Sequence, residues 1–274
     1  MALRTPLRMP LHCALAVGGL DPGGGAGIVA DLRAFAAAGA FGCAAIAAIT
    51  VQSTAGLRKV RALPASEVTA QVAEVIGHQR VRAVKVGALA SRDNVRALAR
   101  VLSRHGDIPV VVDTPIRATR GTARLLSSEA LASVKRDLIP RATLLTVNLA
   151  EAQAFLGERV RTVGEAHDAA RTLAAMGARA VLVKGGHMEG PFAIDVLAID
   201  GHVVELRARR LAIAATHGTG CTLASLVAGR LTLGATLRPS SDTLIAAIRW
   251  AKRVHHAALA RAVRVGDGMR VLVF

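Results

Sequence analysis

Short apolar runs alternate with amphipathic helical stretches along nearly the whole chain, and this alternation leaves few architectures open. A strand that is apolar throughout must be covered on both faces, and helices between parallel strands supply that cover. Strands are predicted at 13–17, 43–50, 83–86, 108–112, 143–147 and 180–184, and helices at 28–38, 66–78, 92–104, 127–138 and 163–176. Residues 193–199 and 202–206 alternate around Asp200-Gly201, a hairpin signal, and helices follow at 222–233 and 242–262. Residues 51–54 read as a polar loop past the second strand, and the tail to Phe274 as irregular chain or a last short strand. No repeat or low-complexity linker breaks the pattern. The expectation is one domain over 1–274, an α/β fold of three layers (α/β/α) with a mostly parallel central sheet and an antiparallel hairpin near its end.

The formal charge of +16 raises the question of nucleic acid. The arginines are spread along helical stretches, as at Arg92, Arg96, Arg100 and Arg104, and aromatic residues make up only 2% of the chain, too few to stack on bases. No nucleic-acid partner is expected, and the charge is assigned to solvated helix faces with a general attraction for anions. Cys13, Cys43 and Cys221 match no zinc spacing and form no disulfide framework, which suits a reducing cytoplasm. Arg4 and Arg8 ahead of a short apolar run faintly suggest a signal peptide, but the run passes straight into a glycine turn and reads better as the first strand. No uninterrupted apolar stretch is long enough to span a bilayer, so no membrane partner is expected.

Two glycine loops stand between a strand and a helix. Gly18 to Gly27 follows the first strand and loosely fits a dinucleotide fingerprint, but no acidic residue ends a second strand where that fingerprint needs one. The loop does offer close backbone approach to a small ligand, with Asp31 one helical turn further on. The second loop, His217-Gly218-Thr219-Gly220-Cys221, runs into a helix whose exposed N–H groups and dipole would hold a phosphoryl group. The same field would lower the Cys221 pKa and leave more thiolate than in a free cysteine. The plainer alternative is a helix start in which Cys221 is a small buried residue. Gln52, past the second strand, is placed either to hydrogen-bond a heteroatom-bearing ring or simply to face water. Asp113 ends a strand at a metal, phosphate or turn position, the polar segment 114–122 could close as a lid, and Lys184 at a strand end could reach a phosphate. Asn148 and Glu151 have the spacing of a capping box, which alone would explain both.

The order of these signals resembles the ribokinase-like superfamily and, within it, the hydroxymethylpyrimidine/phosphomethylpyrimidine kinases of thiamine biosynthesis. The resemblance covers about residues 14–262. It rests on Asp21-Pro22-Gly23-Gly24-Gly25-Ala26-Gly27-Ile28, Thr50-Val51-Gln52-Ser53-Thr54, Val84-Lys85-Val86-Gly87, Asn148-Leu149-Ala150-Glu151-Ala152, Val183-Lys184-Gly185-Gly186-His187 and His217-Gly218-Thr219-Gly220-Cys221-Thr222. It implies ATP-dependent phosphorylation of 4-amino-5-hydroxymethyl-2-methylpyrimidine and then of its monophosphate, with Mg²⁺, in a protein that is often a homodimer. By resemblance Cys221 is the base, and Gly218, Thr219 and Gly220 form the anion hole. Gly19, Asp31 and Gln52 hold the pyrimidine, Lys184 contacts the ATP phosphates, and Asp113 and Glu151 are linked to the metal. The chain departs from the family pattern at Leu20 (usually Ser or Thr), Ala88 (Met), Pro115 (Val), Thr119 (a lid Lys) and Asp267 (near a common His). Arg117 or Arg120 could replace the lid charge. The alternatives are a kinase of pyridoxine or pyridoxal and a pseudokinase that senses the pyrimidine without turning it over.

Overall fold

The computed structural model describes residues 12–118, 120–121, 123–213 and 216–274. Nine strands form one sheet in the order β3-β2-β1-β4-β5-β6-β7-β8-β9. They are β1 (Cys13–Leu20), β2 (Phe41–Ser53), β3 (Gly56–Ala62), β4 (Val81–Val86), β5 (Val110–Val112), β6 (Leu144–Asn148), β7 (Ala180–Lys184), β8 (Phe192–Ile199) and β9 (His202–Arg209). From β2 to β7 all neighbours in the sheet run parallel, and antiparallel strands flank them at both edges.

Helices cover both faces, as the buried parallel strands require. On one face α2 (Ala65–His78), α3 (Arg92–Arg104), α4 (Ser128–Ser133), α5 (Leu149–Leu156) and α6 (Val163–Ala175) pack on one apolar core. On the other, α1 (Gly27–Ala37), α7 (Thr219–Leu231) and α8 (Ser241–Ala260) pack on a second. Alanine and glycine let α1 and α7 approach closely: a Cβ at Gly229 would come within 2.7 Å of the Ala38 Cβ. The chain leaves β1 for β2 on one side and returns through β3 and α2 to β4 on the other. A crevice therefore opens beyond the carboxyl ends of β1 and β4, where open α/β sheets bind ligands.

The three layers, the mostly parallel sheet and the hairpin at Asp200-Gly201 agree with expectation. Three details differ. Residues 51–53 do not leave the sheet but extend β2, which turns back through Thr54 and Ala55 into the unforeseen β3. The single helix expected at 127–138 is α4 followed by a π-helical turn, Val134–Leu138. The tail does form a short strand, β11 (Arg270–Val271), paired with β10 (Thr216–His217) beside the second glycine loop. Among the described residues no helix is long and apolar enough to cross a membrane.

Candidate active site

The carboxyl ends of β1, β4, β5, β6 and β7 open on a single cleft of about 720 Å³, lined also by both glycine loops. The loops hold each other in place. Gly218 has φ +73, and a Cβ there would collide with the carbonyl oxygen of Gly25; one at Gly25 would collide with the His217 ring. Gly27, at φ +57, passes as closely over the Gly19 carbonyl. These contacts explain why the chain has glycine at these positions, where left-handed backbone or close approach excludes a side chain. Gly218 opens α7, and no side chain caps it. The first turn, with Thr219, Gly220 and Cys221, lines the cleft, so its N–H groups remain available to an anion. His255 Nε2 braces this turn from behind, 2.9 Å from the Thr219 carbonyl.

Gly19, Asp31, Gln52, Asp113, Glu151, Lys184, Gly218, Thr219, Gly220 and Cys221, the residues given a role by resemblance, all line this one cleft. Lys184 donates to Asp113 Oδ1 at 2.6 Å, and the Thr146 hydroxyl donates to the same oxygen at 2.5 Å. Burial alone would raise the Asp113 pKa, but the charges of Lys184 and Lys85 outweigh it and hold the carboxyl low. Burial likewise works against the Lys184 ammonium, and the Asp113 and Glu151 carboxylates push its pKa up. Glu151 does close the capping box on Asn148, with both bonds at 2.8 Å. Burial, with Asp113 adding to it and Lys184 opposing it, pushes the Glu151 pKa up to about 7. Among the described residues no group of three or more His, Cys, Asp or Glu side chains is placed to cage a metal. The donor set instead fits Mg²⁺ in the form that takes one or two carboxylates and completes its shell with phosphates and water.

Asp31 is fully buried and accepts from Lys85 Nζ through both oxygens at 2.9 Å, with a third bond from Ser225 at 2.7 Å. Three of its roughly four acceptor positions are thus taken, which narrows its expected role as a free acceptor for substrate. The geometry is that of an ion pair: against burial, the Asp31 carboxylate raises the Lys85 pKa above the ordinary range, while burial raises the Asp31 pKa against the pull of Lys85 and Ser225. The resemblance gives Lys85 no task. Its signal was there in the sequence, a charge inside the apolar run 83–86, because a buried charge in a central strand must find a partner. The same signal marks Asp195 in β8, which accepts from Gly185 N–H at 2.9 Å and Lys252 at 2.5 Å.

Cys221 corrects one expectation. It is half-buried and reached from the cleft, but protein packs closely about the sulfur. Burial pushes the thiol up to about 11; the positive charges of Lys85 and Lys184 offset this only in part, while Asp113 and Asp31 reinforce it. The predicted drop in pKa at the helix start is therefore overridden by desolvation. Of the departures, Ala88 and Pro115 line the cleft, and Ala88 presents only a methyl group there. Arg117 lines the cleft and Arg120 does not, whereas Thr119 lies outside the described residues.

The sequence profile of the phosphomethylpyrimidine kinase family matches residues 21–272. A hydroxymethylpyrimidine/phosphomethylpyrimidine kinase of Rhizobium meliloti is 40% identical over 258 residues, covering 93% of each protein. An ADP complex of Bacillus subtilis pyridoxal kinase overlays with a TM-score of 0.84 at 28% identity, covering 96% of both chains. The phosphomethylpyrimidine kinase of Clostridium difficile overlays with a TM-score of 0.73 at 29% identity, covering 88% of this chain and 98% of its own.

Proposed function

The chain belongs to the phosphomethylpyrimidine kinase family, and from that premise we propose that its cleft phosphorylates 4-amino-5-hydroxymethyl-2-methylpyrimidine and then its monophosphate, with ATP as donor. The observation that carries this reading is the meeting, in one cleft, of an uncapped helix N-terminus, a half-buried cysteine on its first turn and two lysine–aspartate pairs. Phosphoryl transfer needs alignment and charge neutralisation and asks little covalent work of the protein.

In this reading the substrate alcohol oxygen forms a bond to the terminal phosphorus as the bond to ADP breaks. The N–H groups of Gly218 to Cys221 hold the moving phosphoryl group, and Lys184 the phosphates beside it. The alcohol proton goes to the Cys221 sulfur in its thiolate form. A pKa of about 11 keeps that form scarce at neutral pH but makes it a strong base when present. Mg²⁺, when bound by Asp113 and Glu151, supplies neutralisation of phosphate charge. Gln52 and the wall at Gly19 receive the pyrimidine, while Asp31 holds Lys85 in the same cleft. Three free cysteines suit a reducing cytoplasm, and Ile49 and Val51, exposed on the outer hairpin, are apolar surface that a second copy in a homodimer would cover.

A second reading, phosphorylation of pyridoxal, is favoured by the overlay on the Bacillus subtilis enzyme and by the small side chain of Ala88 in the cleft wall. Mass spectrometry of products after incubation with Mg·ATP and either acceptor separates the two. Mono- and diphosphate from the pyrimidine support the first reading, and a strong preference for pyridoxal overturns it.

A further inference from the structure

Phosphoryl transfer as described leaves Asp21 and His217 without a task, although both are buried and line the cleft. Asp21 accepts from the Gly23 N–H at 2.8 Å, from the Ala26 N–H at 2.9 Å and from His217 Nε2 at 2.9 Å. Burial works to raise its pKa, but the hydrogen bonds from His217 and the two N–H groups prevail and keep it an ionised acceptor. His217 Nε2 also stands 3.0 Å from the amide nitrogen Nε2 of Gln52. Its other ring nitrogen, Nδ1, is buried with no hydrogen-bond partner among the described residues.

These contacts fix the proton. A carboxylate only accepts, so the hydrogen sits on Nε2. The opposite tautomer would set a lone pair against the Asp21 carboxylate and bury an orphaned Nδ1–H, two penalties in place of the one bare Nδ1 lone pair. A hydrogen on Nε2 cannot face the Gln52 NH₂. The two ends of an amide occupy interchangeable positions, and the network decides between them; here it turns the Gln52 carbonyl toward His217. The imidazole itself is held rigidly, by the β10–β11 pairing and by Gly25 against its face. Gln52 sits at a bulge, where the β2–β3 register shifts between Val51 and Gln52, and such bulges re-aim a side chain.

We propose that Asp21 and His217 are a positioning pair that locks the Gln52 amide with its carbonyl inward and its NH₂ toward the ligand, so that the pocket selects a heteroaromatic ring presenting a nitrogen acceptor there. This rests on the reading of Gln52 as the ring contact. It assigns the amide as a donor, which pairs with a ring nitrogen and not with an exocyclic amine.

The test is a double-mutant cycle with steady-state kinetics. His217→Ala raises the KM for the pyrimidine about tenfold or more and leaves the KM for ATP within about twofold. His217→Gln, which returns an N–H near the place of Nε2, restores most of the loss. In a Gln52→Ala background, His217→Ala adds nothing further. A substrate analogue with the facing ring nitrogen replaced by C–H binds the wild type more weakly but is unchanged with Gln52→Ala; an analogue without the amino group affects both proteins alike. Equal effects on both KM values, additive effects of the two substitutions, or an amine analogue sensitive to Gln52 would overturn the assignment. Should His217→Ala fail to fold by circular dichroism, the analogue pair on wild type and Gln52→Ala still decides. If the wild type phosphorylates pyridoxal and not the pyrimidine, the functional reading fails, and the same cycle with pyridoxal, which also carries a ring nitrogen, decides the orientation.

Discussion

Alkylation of Cys221 by iodoacetamide, followed by mass spectrometry from pH 7 to pH 10, tests the protonation state of the central thiol. A pKa of about 11 leaves about 0.1% thiolate at pH 8, against about a quarter for a free cysteine of pKa about 8.5. A more basic thiolate is also more nucleophilic, by about tenfold over this difference in pKa, so the net rate at pH 8 falls about 20-fold below that of a free thiol. The slope is more telling than the rate, because access through the cleft changes only the latter. The rate should climb about tenfold per pH unit up to pH 10. Cys13 and Cys43 are buried and serve as internal controls, with the Cys43 thiol pushed up to about 12 by burial, reinforced by Cys13. A plateau below pH 9 would refute the reasoning and restore a helix-lowered thiol.

Cys221→Ala should lower kcat by about 100-fold or more with the pyrimidine KM changed only a few-fold, measured by coupled ADP release; an unchanged kcat means that the sulfur only packs. Lys184→Ala should weaken the ATP side, raising that KM while sparing the pyrimidine KM, and the reverse would exchange the two ends of the cleft. Lys85→Met strands the Asp31 carboxylate and should cost about 3–5 kcal/mol in urea denaturation, with Asp31→Asn/Lys85→Met recovering most of it; equal loss in both would deny the pair its coupling. Burial holds the His255 pKa down at about 4, below its ordinary 6.5. The unfolded chain therefore binds the extra proton first, and the stabilisation is complete above pH 6.5 and lost as pH falls through 4, about 3 kcal/mol in all. His255→Gln should flatten that acid limb of the urea midpoint, and an unaltered limb would place the titrating group elsewhere.

The alternation of strand and helix was legible because buried parallel strands leave apolar runs that no surface segment imitates. β3 was hidden by its position. An edge strand faces solvent and carries Arg58, Lys59 and Arg61, charges that blunt the edge and erase the period-two pattern. The members of the site were legible one at a time, since polar residues at strand ends are conspicuous against apolar runs. Their pairings were not: Asp31 meets Lys85 54 positions away, and Asp21 meets His217 196 positions away. The Cys221 pKa was misread for a related reason. Helix polarity is local and can be read from glycines, whereas desolvation is set by whatever distant segments close around the sulfur.

The contact of Gly25 with Gly218 and His217 makes the two glycine loops a single mechanical part. A change that reshapes the acceptor end also detunes the donor end, so such a catalyst is hard to retarget by editing either loop by itself. Drift toward a new alcohol is left to Ala88 and Pro115, which line the cleft and belong to neither loop.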